Sequence, residues 1–416
     1  MKLNKELKIL IVAENASDML GGEAVLPLHY FRFLSIRGLT TYLLVHERVK
    51  KELEASLPEY SEKIVYVKDL YLQKLLMKVS NVFPRRISDH TFIIILKFLT
   101  GIRQRKIIKS MVKKNLVNVI HQPTPVSPKE PSLIYNVDAP VIIGPMNGGM
   151  SYPVGFGFME SRFEKIFIQL IRKMSSLANH IFPGKRKASL LLVSNARTFK
   201  ALPSSTTKNI KIMAENGVDL SLWETAITEK KSSTIPEFTY MGRLVYWKGV
   251  EYLLDAFSNL LKKRQARLTI IGDGVEYTKL KKKAEQLNLA SNVNFTGFLP
   301  QLECSKILSN SRALILPSLY ECGGAVVLEA MAASTAVITL DWGGPSDYVN
   351  SECGILISPK SPEYVVSKLE DFMVLLSDNP EIASKMGCAG LERVKELYDW
   401  DKKVDFMLEN YVEVMS

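Results

Sequence analysis

Two glutamates have the residue type and spacing that could bind an activated sugar. Glu321 and Glu329 stand eight positions apart in ECGGAVVLEAMA, which follows a predicted strand ending at Leu316. If a helix starts near Gly323, its first amides carry free N–H groups and the positive end of the helix dipole, which favour a phosphate or a sugar oxygen. At a rise of about 1.5 Å per residue, Glu329 then lies roughly 9 Å deeper and can accept hydrogen bonds from a ribose diol.

Small residues open this predicted helix. Gly323 and Gly324 let a ligand approach the backbone closely, and Ala325 supplies the next amide, so all three are candidate substrate-binding residues. Glu321 stays near the sugar. In the alternative interpretation Glu321 is a helix-capping surface acid and Glu329 a solvated residue. The apolar flanks of Glu329 argue against it, because a buried carboxylate needs partners.

The chain resembles the retaining glycosyltransferases of family 4, which have a two-domain architecture called GT-B and a signature of two glutamates separated by seven residues. Glu321 and Glu329 match that signature. The resemblance is strong over Ile212 to Pro359 and weaker towards both ends, and it includes AENGVD, MGRLVYWKG, IIGDG and DWGGPSDYV. Asp347 stands where many relatives have Glu, and Gly323 where they often have Phe, so the sugar specificity does not transfer.

The resemblance implies further site residues in the C-terminal half. Arg243 and Lys248 match the pair of cations that neutralises the donor diphosphate in the family, where they replace a metal ion. Base contacts are expected around Gly297, Phe298 and Leu299. The family is thought to retain configuration by front-face attack, in which the departing phosphate takes the acceptor proton, so no covalent glutamate is expected.

The resemblance also implies residues in the N-terminal half. Gly21 and Gly22 match the family's glycine loop after the first strand, and His121, in VIHQP, matches a histidine that contacts the transferred sugar. The glycine-rich loop GPMNGGMSYP resembles loops that border the acceptor in some members. Its candidate binding residues are Asn147, Gly148 and Gly149.

The order of the elements predicts an α/β fold of the GT-B type, with two Rossmann-like domains facing each other across a cleft. Short β-branched or aliphatic runs alternate with longer amphipathic segments, which indicates parallel sheets covered by helices. Strands of the first sheet are expected at 7–13, 41–45, 63–67, 117–121, 141–143 and 190–193. Those of the second are expected at 238–241, 267–271, 292–295, 313–316, 336–339 and 354–357.

Two domains are expected from the chain's 416 residues. Residues 1–213 form the predicted acceptor-binding domain and 214–398 the predicted donor-binding domain, joined through an exposed linker at 221–237. The closing helix, 399–416, is expected to pack back on the first domain. Ligands of such sheets bind at the carboxyl ends of the strands.

The composition, with 47% hydrophobic and 23% charged residues, is that of a soluble globular protein. The first 14 residues are too poor in apolar side chains for a signal peptide, and the longest apolar run, 91–102, contains Lys97 and is too short to span a bilayer. We therefore expect a cytoplasmic protein without a transmembrane helix. The four cysteines stand singly, which disfavours disulfides and zinc, and no cofactor or metal is expected.

The net charge of +11 is concentrated in two segments. Residues 71–115 carry eleven Lys or Arg against one Asp, and 161–190 carry seven against one Glu. Apolar and basic residues interleave at helical spacing, which predicts peripheral binding to an anionic inner membrane face carrying a lipid-linked acceptor. The alternative is a helix pair with its apolar stripe in the core. No nucleic-acid-binding module accompanies the charge.

The expected activity is transfer of a hexose-type sugar from a UDP- or GDP-sugar to a lipid-linked or polysaccharide precursor of the cell envelope. The alternatives are a catalytically silent subunit that binds nucleotide sugars and an epimerase of the same fold. The sequence leaves the base, the sugar and the acceptor open.

Overall fold

The computed structural model describes residues 6–19, 22–70, 73, 85–160, 174–221, 223 and 235–416, without the side chains of 85–94. These residues fall into two compact units. Unit 1 comprises the described residues of Met1–Gly149, Ile166–Glu215 and Val404–Ser416. Unit 2 comprises the described residues of Met150–Lys165 and Asn216–Lys403.

Unit 1 contains a parallel sheet of seven strands in the order β3-β2-β1-β4-β5-β6-β7. The strands are β1 (Lys8–Val12), β2 (Thr40–His46), β3 (Ile64–Val67), β4 (Val119–Gln122), β5 (Val141–Met146), β6 (Leu190–Val193) and β7 (Ile210–Ile212). Leu10 of β1 is paired with Tyr42 of β2 on one side and Ile120 of β4 on the other. The strand order reverses between β1 and β4, which is where ligands of doubly wound sheets bind.

The helices of unit 1 follow its strands. They are α1 (Val25–Ile36), α2 (Lys50–Ser56), α3 (Arg85–Lys113), α4 (Gly184–Lys187) and α5 (Ala196–Ala201), and residues 174–181 are also helical. The core is formed where the aliphatic strand residues meet the helices, as Leu10, Leu44 and Ile120 meet Ile108 of α3. Because helices cover both faces of a parallel sheet, its strands have continuous apolar sequences, as they do here.

Unit 2 contains a parallel sheet of six strands in the order β10-β9-β8-β11-β12-β13. The strands are β8 (Glu237–Met241), β9 (Arg267–Ile271), β10 (Val293–Gly297), β11 (Ala313–Leu316), β12 (Ala336–Leu340) and β13 (Gly354–Ile357). The order reverses between β8 and β11. The loops that follow these two strands carry Lys248 and Glu321.

The helices of unit 2 pack by apolar stripes. They are α6 (Val250–Leu261), α7 (Tyr277–Gln286), α8 (Gln301–Asn310), α9 (Ala325–Ala332), α10 (Pro345–Tyr348), α11 (Pro362–Asp378) and α12 (Pro380–Leu397). In α6 the buried residues Val250, Leu253, Leu254 and Phe257 recur at three- and four-residue intervals and form one face. The last helix, α13 (Trp400–Glu413), enters unit 1 from Val404 onwards.

The two parallel sheets covered by helices confirm the predicted α/β fold class, and every predicted strand is present. The edge strand β7 was not predicted, because its sequence, IKI, is short and only partly buried. Most of the predicted linker at 221–237 lies outside the described residues, but Trp223 within it is fully buried. Much of the basic segments 71–115 and 161–190 also lies outside them.

Candidate active site

The loop after β8 brings Lys248 to the loop after β11. A short 3-10 turn, Tyr246–Lys248, ends at Gly249, whose φ of 68° lies in the left-handed region. A Cβ at Gly249 would lie 2.3 Å from the carbonyl oxygen of Pro317, so only glycine permits this approach. The backbone N–H of Leu319 donates to the carbonyl of Trp247 at 2.8 Å and joins the two loops.

This approach pairs Lys248 with Glu321. The Lys248 ammonium group contacts the Glu321 carboxylate directly, and the two side chains are only 15% and 16% exposed. Burial, followed by the positive charge of Arg243, lowers the pKa of Lys248 to about 8. The Arg243 side chain is exposed and, among the described residues, has no ion-pair or hydrogen-bond partner. Two cations and one carboxylate therefore stand together at the reversal of the strand order.

The helix after Glu321 starts later than the sequence suggested. The helix α9 begins at Ala325, two residues after the predicted start near Gly323, and Gly324 precedes it with a φ of 80°. No side chain caps this helix. The N–H of Gly344 donates to the carbonyl of Glu321 at 2.9 Å, and a Cβ at Gly344 would lie 2.1 Å from the carbonyl of Cys322, so two glycine pairs pack together here.

Glu329 lies half-buried on α9. Burial raises its pKa to about 7, and among the described residues its carboxylate has no hydrogen-bond partner. Cys304 lies between Glu329 and the loop after β10: its thiol donates to the carbonyl of Leu299 at 3.6 Å. Burial and the charge of Glu329 raise the pKa of Cys304 to about 11. The residues predicted for the ribose and the base are thus close to one another.

The loop at Gly297–Leu299 is open to solvent on one side. Gly297 ends β10 with a φ of 71°, and its carbonyl accepts a hydrogen bond from the N–H of Gly272 at 2.8 Å. Phe298 is 81% exposed. An exposed aromatic ring beside a fixed backbone is suited to lie against a planar ligand group.

His121 has a different environment from the one predicted. It is fully buried in β4, its Nε2 lies 2.7 Å from the carbonyl oxygen of Gly144, and its Nδ1 lies 2.7 Å from the hydroxyl of Tyr411 on α13. A carbonyl can only accept, so Nε2 carries the proton and Nδ1 accepts from Tyr411. In this structure His121 therefore presents neither ring nitrogen to a ligand.

The loop after β5 is also engaged internally. Asn147 is 3% exposed, donates to the Glu215 carboxylate at 2.7 Å and accepts from the Thr198 hydroxyl at 3.3 Å. The Gly148 N–H donates to the same hydroxyl at 3.1 Å. A Cβ at Gly149 would lie 2.9 Å from that of Ala201. This geometry indicates a role for the loop in the packing of unit 1.

The glycine loop after β1 is partly described. Gly22 opens a 3-10 turn, Gly22–Ala24, with a φ of 55° and open space where a Cβ would be. The prediction for Gly21 lies outside the described residues. Among the described residues no three His, Cys, Asp or Glu side chains are placed to hold a metal ion.

Sequence reasoning missed a cavity of about 310 Å³ at the carboxyl ends of β1 and β4 in unit 1. Gln122, which lines it, directly follows the histidine that the resemblance selected. The signal was its position at the end of β4, beside the reversal of the strand order. The other lining residues come from three separate segments, so no local motif marks them.

Comparison with known proteins gives the following matches. Residues 224–390 match the family model described as glycosyl transferases group 1. An uncharacterised glycosyltransferase of Methanocaldococcus jannaschii is 34% identical over 156 residues, which are 36% of this chain and 40% of that protein. The chain thus spans well under two thirds of the length of this curated relative.

Solved structures resemble the chain along almost its whole length. A glycosyltransferase from Rickettsia africae superposes with a TM-score of 0.68 at 16% identity and 99% coverage of both chains. Anabaena HepE in complex with UDP-glucose superposes with a TM-score of 0.62 at 15% identity, covering 97% of this chain and all of that one. At these identities the likeness shows the fold.

Proposed function

We propose, from the premise that residues 224–390 belong to the glycosyl transferases group 1 family, that this chain is a retaining, metal-independent hexosyltransferase. Unit 2 binds a UDP- or GDP-sugar, and unit 1 binds the acceptor. The observation that carries the proposal is the buried pair of Lys248 and Glu321, set between the loops after β8 and β11 and next to the uncapped start of α9.

The proposed role of Lys248 is to stabilise the leaving group. Negative charge grows on the diphosphate as the glycosidic bond breaks, and fixed cations in a site of low polarity stabilise it strongly. Lys248 exchanges Glu321 for a phosphate oxygen when the donor binds, and Arg243 adds a second positive charge. Glu321 is then released to accept hydrogen bonds from the hydroxyl groups of the sugar.

The proposed donor geometry continues along α9. The amides at the start of the helix bind phosphate oxygens, Glu329 accepts from the ribose hydroxyls, and the backbone of Gly297–Leu299 reads the base. The departing phosphate oxygen takes the acceptor proton on the same face, so that no protein nucleophile is involved. The complex of Anabaena HepE with UDP-glucose supports a nucleotide-sugar donor.

The proposed acceptor is a lipid-linked or polysaccharide precursor of the cell envelope, reached from the inner face of the membrane. Among the described residues no helix has the length and apolar content to cross a bilayer. In the helical segment 174–181, Met174, Leu177 and Ile181 are 57–63% exposed and recur on one face. Such a face is typical of peripheral membrane binding, and it supports the membrane-bound part of the proposed cytoplasmic, peripheral location.

Turnover of labelled UDP- and GDP-sugars, to water or to added acceptors, tests the proposal. Donors are first ranked by thermal shift, since a ligand at 100 times its Kd adds about 2.7 kcal/mol of stability. Lys248→Ala should lower kcat on the order of 10²–10³-fold, as expected for loss of one group that stabilises the transition state. The matched control is Lys282→Ala, because Lys282 is exposed on α7.

Turnover that is the same in Lys248→Ala and Lys282→Ala would refute the role of the cation pair. Donor binding without hydrolysis or transfer would favour the silent-subunit alternative. Full activity after dialysis against EDTA is expected, and a requirement for added divalent cation would refute metal independence.

A further inference from the structure

The cavity in unit 1 lies where doubly wound sheets bind ligands. It is bounded by the residues that follow β1, by the end of β4 and by α3, and its volume of about 310 Å³ is at the lower end of the range for small-molecule sites. This volume is large enough for one ring-sized group.

Two buried amides point to a hydrogen-bonding ligand. Gln104 is 6% exposed and donates from Nε2 to the carbonyl of Ala13 at 2.7 Å. Gln122 is 8% exposed and accepts at Oε1 from the hydroxyl of Ser132 at 2.6 Å. Both side chains line the cavity, and each of these hydrogen bonds fixes the orientation of its amide.

The opposite end of each amide has no partner among the described residues. These ends are an acceptor, Oε1 of Gln104, and a donor, Nε2 of Gln122. Both residues line the cavity, so these ends are available to a ligand, and a ligand hydroxyl, which both donates and accepts, can bind either one. Asn15, half-buried at the same cavity, also has no hydrogen-bond partner among those residues.

The charges of the cavity disfavour an anion. Its lining includes three carboxylates, Glu14, Glu23 and Glu130, and one ammonium group, Lys97. Lys97 is already paired with Glu130 at 3.2 Å, and Glu14 is paired with Arg48 at 2.6 Å. These two pairs leave Glu23 as the carboxylate of the described lining that has no ion-pair partner, so a phosphate or carboxylate placed here would be repelled by it.

We propose that this cavity binds the acceptor through an uncharged sugar ring and rejects phosphorylated or carboxylated rings. The hydroxyl groups of the ring donate to Oε1 of Gln104, accept from Nε2 of Gln122 and bond to the amide of Asn15. The identification of the sugar ring as part of the acceptor rests on the proposed glycosyltransferase function. The binding of a sugar ring to the cavity stands independently and is measured without any donor.

Saturation-transfer NMR on the full chain tests this with the methyl glycosides of glucose, mannose and galactose, alongside glucose 6-phosphate and glucuronate. At least one neutral glycoside should bind, and its phosphorylated or carboxylated counterpart should bind at least tenfold more weakly. Gln122→Glu keeps the acceptor for Ser132 but replaces the cavity-facing donor with a carboxylate oxygen. It should weaken the neutral ligand at least tenfold.

The matched control is Gln286→Glu, which makes the same chemical change at an exposed position on α7 and should leave sugar binding unchanged. Melting temperatures verify that both variants are folded. Asn15→Ala removes a side chain that has no hydrogen-bond partner in the described part of the chain, and it provides a second variant that should weaken binding. A glycoside that binds Gln122→Glu and Asn15→Ala as well as it binds the wild type would overturn the proposal.

Three further measurements test the acceptor assignment, the recognition of the ring and the independence of this inference from the proposed function. Displacement of the glycoside by UDP or GDP alone would overturn the acceptor assignment, because the ring would then occupy the donor's position. Equal binding of methyl and octyl glycosides supports recognition through the ring, whereas binding of the octyl glycoside alone would overturn it. Failure of donor turnover would refute the proposed function and leave the measured sugar binding intact.

Discussion

Lys248 and Glu329 have pKa values displaced in opposite directions, and burial is the first cause of both shifts. The pKa of Lys248 is lowered to about 8, so this group is charged below that pH and neutral above it. The pKa of Glu329 is raised to about 7, so this group is ionised above that pH and neutral below it. Both groups carry the charges that the proposed donor contacts require only between about pH 7 and 8.

We therefore predict that affinity for the nucleotide sugar follows a bell-shaped pH profile with limbs near pH 7 and 8. Neither phosphate of a nucleotide sugar titrates in this interval, because each is a diester, so the limbs report the protein. The measurement is calorimetric Kd from pH 6 to 9. Lys248→Arg should remove the alkaline limb, since guanidinium stays charged, and Glu329→Gln should remove the acidic one. A flat wild-type profile would contradict the assigned contacts.

At the scale of the element, α13 is attached to the rest of unit 1 by polar contacts between residues that are far apart in the sequence. Tyr411 donates to Nδ1 of His121 at 2.7 Å, and Lys211 of β7 bonds Asn410 at 2.8 Å. Arg37 pairs with Asp405 at 2.6 Å. The first contact is fully buried, whereas the ion pair is partly exposed, so the hydroxyl of Tyr411 should matter most for stability.

Tyr411→Phe should lower the free energy of unfolding by about 1–3 kcal/mol, because it removes the buried hydroxyl that donates to Nδ1 of His121. Urea denaturation of the purified chain measures it. Tyr364→Phe is the matched control, since the hydroxyl of Tyr364 on α11 has no hydrogen-bond partner among the described residues. Equal stability of the two variants would show that this hydrogen bond does not hold α13.

The features that local sequence patterns determine were predicted, and those that depend on contacts between distant parts of the chain were not. Strands such as Leu190–Val193 were predicted because a strand buried on both faces has consecutive aliphatic residues, and this one has four. The start of α9 lies two residues beyond the expected position because Gly324 adopts a left-handed conformation, which a glycine permits but does not require. His121 could not be distinguished as a core residue, because its partner Tyr411 stands 290 positions away. Gln104 and Gln122 were missed because the cavity that they line is assembled from separate segments of the chain.

At the scale of the whole molecule, some of the basic side chains contact other parts of the protein, and others are exposed to solvent. Arg105 lies 3.7 Å from the centre of the Tyr135 ring, and Arg103 donates to the carbonyl of Lys68 at 2.7 Å, so both contribute to the packing of α3. Lys106 and Lys109 are exposed on the same helix, as is Arg186 on α4. A test of membrane binding should change only the exposed groups, because reversal of the others would disturb the fold.

The triple variant Lys106→Glu, Lys109→Glu and Arg186→Glu should bind anionic vesicles at least about 3 kcal/mol more weakly, on the order of 100-fold, since each basic residue near such a surface contributes about 1 kcal/mol. Co-sedimentation with phosphatidylserine-containing vesicles measures it at low and high salt. A matched control reverses Lys281, Lys282 and Lys385, which are exposed on α7 and α12 of unit 2 and change the net charge equally. If both variants lose binding to the same extent, the attraction follows total charge. If neither does, Lys106, Lys109 and Arg186 do not carry the binding. A wild-type chain that does not sediment with the vesicles would refute membrane binding itself.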